Sequence, residues 1–131
     1  MRHCPAALAM AVMLALSMPA RAHHSQTMFE PDKQVTVEGT VSRWVWSNPH
    51  TWLYIEVKKA DGPVDTWGFE ANSAASMQRA GWKRTQFNAG DQVTVTGWPM
   101  KNGEHKALLG RVVTADGTTK ELNGNGPQIP R

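Results

Sequence analysis

Asn72-Ser73-Ala74-Ala75-Ser76-Met77-Gln78-Arg79-Ala80-Gly81-Trp82 is the stretch that decides the fold. Its punctuation predicts a short helix over 73–80. Asn72 and Ser73 carry side-chain oxygens that accept from the unpaired N–H groups of a first helical turn. Gly81 suits the left-handed backbone that ends a helix. Trp82 then stands where a Schellman motif brings an apolar residue back onto Met77. On both sides of this stretch, apolar residues recur at every second position, the pattern of half-buried strands.

Three strands are predicted before the helix. In 34–47, Val35, Val37, Gly39 and Val41 share one face, while Trp44 and Trp46 fall on the opposite parity. That switch predicts a bulge or sharp coil at Ser42-Arg43, and Gly39 permits strong bending. Ser47-Asn48-Pro49-His50 is a turn. In 51–58, Leu53, Ile55 and Val57 face one way, and Trp52, Tyr54 and Glu56 the other. Ala60-Asp61-Gly62-Pro63 reads as a hairpin into a third strand, 64–70, with Trp67 and Phe69 on one face and Glu70 on the other.

Two more strands follow the helix. Gly90-Asp91 turns into a fourth, 92–98, with Val93 and Val95 inward. Lys101-Asn102-Gly103-Glu104 contains the Asn-Gly hairpin signal and leads to a fifth, 107–114. Asp116-Gly117 turns again, and 118–121 adds a short last strand. Three strands, a helix and two strands is the order of the OB-fold. The predicted class is therefore all-β with one short helix, a small five- to six-stranded OB-like barrel. An open meander with a capping helix fits the same order.

The N-terminus carries a different signal. Met1-Arg2-His3 is a short basic start, residues 6–18 are mostly apolar, and Ala20-Arg21-Ala22 offers the small-x-small site of signal peptidase. The apolar run is shorter than the roughly 20 residues a membrane span needs. Cleavage after Ala22 is expected, giving a periplasmic or secreted protein with no membrane span after cleavage. The domains are then a signal peptide (1–22), an N-terminal arm (23–33), the barrel (34–121) and a flexible tail (122–131).

Cleavage changes the composition. It leaves 109 of the 131 residues and removes the single cysteine, Cys4, so the mature chain has no thiol. Arg2 and Arg21 leave as well, so the 14 basic residues become 12 against 11 acidic ones. Near-neutral charge and export argue against a nucleic-acid partner.

Several local patterns occur together: Ala22-His23-His24-Ser25, Glu38-Gly39-Thr40-Val41, Trp46-Ser47-Asn48-Pro49-His50, Trp67-Gly68-Phe69-Glu70, Gly81-Trp82, and Gly90-Asp91-Gln92-Val93-Thr94-Val95-Thr96-Gly97. As a set they resemble a family of small exported bacterial proteins of unknown function. The resemblance runs from His23 to about Gly117. It implies a secreted β-rich domain without an assigned activity, and it makes the histidine pair, Asn48-Pro49-His50 and Glu70 that family's recurring polar positions.

Cleavage after Ala22 would also give His23 a free α-amine. An amine of intrinsic pKa about 7.7–8.0 and an imidazole of about 6.5 are both available as neutral donors near pH 7. Together they chelate a metal, and a second imidazole opposite them completes a T of three nitrogens, the histidine brace. Nitrogen-only tetragonal sites favour Cu(II). His24 or His50 can supply the second imidazole. Glu70 can serve as a fourth ligand or orient a ligating ring. Zinc is the lesser metal alternative. The competing reading is a solvated terminus, with His50 capping a turn and Glu70 a surface carboxylate; His105 reads as simply exposed.

A second functional reading rests on rings. Trp44, Trp46, Trp52, Tyr54 and Trp98 lie opposite the aliphatic faces of their strands. If gathered, they would stack a small ligand or sugar, or meet a protein partner. The structural alternative is a second small core covered by the helix and by Met28 and Phe29 of the arm. No nucleophile elbow, phosphate loop, paired-carboxylate site or Cys-His pair occurs. A carrier or binding protein therefore fits better than an enzyme. A copper oxidase or monooxygenase is the enzymatic alternative.

Overall fold

A computed structural model describes residues 28–122. Within them lie β1 (Val35–Val45), β2 (Trp52–Lys58), β3 (Val64–Glu70), α1 (Ala74–Arg79), β4 (Gln92–Pro99), β5 (Lys106–Thr114) and β6 (Thr119–Glu121). Neighbouring strands run in the order β3-β2-β1-β4-β5-β6. A parallel pairing of β3 with β5, through Phe69 opposite Ala107, joins the two sides of the sheet. Five strands thus close into an OB-like barrel, and β6 hairpins onto β5 as one extra strand. The parallel closure rules out the open meander.

β1 makes closure possible because it pairs with two partners in succession. Its first half runs beside β4 and its second half beside β2, with Thr40 opposite both Gln92 and Glu56 at the handover. Gly39 sits at this bend. A Cβ there would come within 2.4 Å of the Glu56 carbonyl oxygen, so a side chain would force the strands apart. The predicted bulge lies between Val41 and Arg43. Before it, the odd-numbered Val37 and Val41 point into the barrel. After it, Trp44 stands opposite Leu53 and shares that residue's inward face, while Arg43 stands opposite Tyr54 on the outside.

Leu53, Ile55, Phe69, Val95 and Leu109 are fully buried inside the barrel, with Val41, Val93 and Val112 almost so. Each such side chain contributes about 1.5–3 kcal/mol relative to exposure. The helix closes one end. Ser73 Oγ accepts from the Ser76 N–H at 3.4 Å, as an N-cap should. At the other end, the Trp82 N–H donates to the Met77 carbonyl and the Gly81 N–H to the Gln78 carbonyl, both at 3.0 Å. With Gly81 at φ +82°, this is the predicted Schellman motif, and it turns Trp82 inward beside the buried Met77. Part of the arm belongs to the barrel as well. Phe29 is buried and bridges Met100, and the Glu30 N–H donates to the Pro99 carbonyl.

Candidate functional site

The loop between β1 and β2 is bolted to the chain that leaves β3. Ser47 Oγ donates to the His50 carbonyl at 2.7 Å, and the Ala74 N–H donates to Asn48 Oδ1 at 3.2 Å. The Asn48–Pro49 bond is cis. The ladder continues past the strand ends, with the Thr51 N–H donating to the Asn72 carbonyl and the Ala71 N–H to the Thr51 carbonyl. These bonds fix His50 beside Glu70.

His50 Nδ1 lies 3.0 Å from Glu70 Oε1 and 3.2 Å from the Ala71 carbonyl oxygen. A carbonyl can only accept, and so can an ionised carboxylate. Nδ1 therefore carries the proton, and a neutral imidazole keeps its lone pair on Nε2. His50 retains 28% of its side-chain exposure and Glu70 15%, so the pair is mostly covered but still reaches the surface. A carboxylate or carbonyl on the far nitrogen is the usual way a ligating imidazole is oriented.

Of the predicted metal residues, the structure thus brings His50 and Glu70 together. His23 and His24 lie outside the described residues, as do the predicted leader and its predicted cleavage site. Among the described residues, no group of three or more His, Cys, Asp or Glu side chains converges as a metal cage. No described helix is long and apolar enough to cross a membrane.

The five predicted aromatic residues do not gather on one face. Trp44 packs inward against Trp82 and Phe87, with ring centroids 6.1 and 5.2 Å away, and its indole N–H donates to the Lys83 carbonyl. Trp46 follows it, 5.8 Å from Trp44 and packed against the core. The bulge, by moving even-numbered residues inside, is the physical cause. Trp98 lies on the outer side of β4, over Gly110, where it lines a groove of about 370 Å³ with Gln34, Arg111 and Glu121.

Trp52 and Tyr54 alone share the outer face of β2. Their rings are stacked, with centroids 5.9 Å apart and planes within 17° of parallel. Tyr54 stands opposite Gly68 of β3 and covers it; a Cβ on Gly68 would meet the ring at 3.1 Å. Glu70 stands opposite Trp52 and Gly68 opposite Tyr54, and His50, in the loop that leads into β2, lies beside Glu70. The Arg43 guanidinium lies 4.3 Å above the Tyr54 ring centre.

Arg43 and Gly68 did not stand out in the sequence, because their roles depend on which residues the register puts opposite them. His105 is exposed as expected, yet its ring also stacks on Trp67 at 4.9 Å and 14°. Near it, Lys106 donates to Glu104 at 2.7 Å. Lys106 holds the Glu104 carboxyl below its ordinary range, and Glu104 raises the ammonium of Lys106 in return.

A model for the family of unknown function DUF6152 covers residues 10–121. No curated protein and no solved structure matches the chain.

Proposed function

We propose that this chain, which belongs to the family of unknown function DUF6152, is a small exported binding protein that holds copper between His23 and His50. The observation that carries the reading is the pair of acceptors on His50 Nδ1, at 3.0 and 3.2 Å. They hold the ring through Nδ1, as a carboxylate and a carbonyl do when they orient a ligating imidazole. Cleavage after Ala22 makes His23 the first residue, and its amine and imidazole then supply the other two nitrogens. His24 is an additional imidazole next to them. Three nitrogen donors in a T suit Cu(II) ahead of the other divalent ions, with zinc as the lesser candidate. Glu70 acts on the ring of His50 and is a positioning residue in this reading.

The reading needs export, so the leader is expected to deliver the protein to the periplasm or beyond. Holding a metal requires only donors, which is why a carrier or binding role fits a chain without a recognisable nucleophile or acid–base pair.

The test is a Cu(II) titration of three forms: the chain starting at His23, the chain retaining Ala22, and His50→Ala. Losing a ligand is expected to weaken binding by at least about a hundredfold in each altered form, beyond what loss of an orienting group costs. Glu70→Gln should weaken it about 10–100-fold with little change in thermal stability. Equal affinity with and without Ala22 overturns the amine ligand, and equal affinity in His50→Ala overturns the second imidazole. Intact mass of the exported protein identifies the first residue in the same preparation.

A further inference from the structure

We infer that the outer face of β2 and β3 is a subsite for an acidic oligosaccharide, with Trp52 as the stacking surface and Arg43 as the carboxylate partner. OB-type barrels meet oligosaccharides and single strands through their second and third strands and the loops that flank them. Here that face carries a stacked aromatic pair. The ring planes of Trp52 and Tyr54 lie within 17° of parallel with centroids 5.9 Å apart, and the ring of Tyr54 lies over the bare backbone of Gly68. The C–H face of a sugar ring packs on an indole such as that of Trp52.

The charge pattern selects an acid. A guanidinium laid against a ring keeps its N–H edges in its own plane, where they can take a carboxylate in two parallel hydrogen bonds. Arg43 is exposed, lies over Tyr54, and has no carboxylate within ion-pair distance among the described residues. Lys106, the next cation, is already committed to Glu104. At the far end of the face, Glu70 is an acceptor suited to sugar hydroxyls. From strand spacing and rise, the Cα atoms of Arg43 and Glu70 are about 12 Å apart, the reach of a short oligosaccharide. One cation at one end and a carboxylate at the other suit an occasional acid group among hydroxyls. They do not suit the unbroken phosphates of a nucleic acid.

The subsite uses no metal, so the test is run on the exported protein after chelator treatment, which separates its outcome from that of the copper reading. Tryptophan fluorescence and calorimetry are followed with trigalacturonate as the acidic probe, maltotriose as the neutral probe and oligothymidylate as the nucleic-acid probe. Saturable binding of trigalacturonate is expected, weakened by salt and abolished in Trp52→Ala. Arg43→Gln, an exposed change that leaves the barrel intact, should weaken trigalacturonate about tenfold and bring it level with maltotriose. Arg43→Lys should recover only part of the loss, because an ammonium has no planar fork. No saturable response to trigalacturonate, an unchanged affinity in Arg43→Gln, or tighter binding of oligothymidylate would each overturn the proposal.

Discussion

Trp44 and Trp52 stand on adjacent, paired strands, yet their surroundings are opposite. Trp44 packs, partly buried, against Trp46, Trp82 and Phe87 at the end of the barrel that the helix closes. Trp52 lies on the outside, beside Tyr54 and opposite Glu70. Hydrophobicity does not separate them, since both are tryptophans flanked by apolar and polar neighbours. The bulge at Ser42 does. One extra residue in β1 reverses which parity faces inward, so the inner cluster becomes core and the outer pair remains a surface. The teaching is that a strand's faces are assigned by its partner's register, and alternation alone cannot carry them past a bulge.

The largest break in this comparison comes from Trp82→Ala. Trp82 is 2% exposed, and removing it leaves a large cavity under the helix. A loss of about 3–5 kcal/mol is expected, read as a shift in the urea midpoint. Trp82→Phe should cost less, because the buried Trp82 Nε1 has no hydrogen-bond partner to lose among the described residues. Deleting Ser42 comes next. It removes the bulge while leaving Arg43 outside and Trp44 inside, so about 1–3 kcal/mol should be lost with the bend. Acrylamide quenching should stay at the parent's level; a rise would show that the parity had moved. Trp52→Ala should change stability by only about 0.5 kcal/mol, as surface changes do. A loss as large as that of Trp82→Ala would make the outer pair a second core.

The smallest effect is a pH response far from both clusters. Asp116 accepts from the Thr114 hydroxyl and from the Thr118 N–H in the β5–β6 turn, and these bonds hold its carboxyl below the ordinary range. A depressed carboxyl stabilises the fold above its unfolded pKa, about 3.9 for Asp, and that contribution is lost as pH falls through the lower folded value. Asp116→Asn should therefore lower the melting temperature slightly near neutrality, with the difference from the parent closing in acid.

Much of this molecule can be read without coordinates, because its signals are local. The cap at Ser73, the glycine at 81 and the return of Trp82 onto Met77 lie within one short stretch, and each works through neighbouring backbone. The strands are legible for the same reason, and even the bulge announces itself as a parity change. Alternation alone does not carry its consequence: parity groups Trp44 and Trp46 with Trp52 and Tyr54, and the bulge separates them. The pairing of His50 with Glu70 and the stacking of Arg43 on Tyr54 are different in kind. They join residues from separate strands and loops, and no spacing rule in one sequence states which will meet. Trp98 over Gly110 and His105 on Trp67 depend on the same non-local register.

The parallel seam between β3 and β5 has a consequence for the order in which the chain acquires its shape. Phe69 waits for Ala107, and the first strand waits for the fourth, so the hoop cannot shut until nearly all of the domain has been made. Contacts of such long sequence separation form slowly. Under the export proposed above, that delay is an advantage, because a polypeptide threaded through a narrow secretion pore arrives there still unlatched.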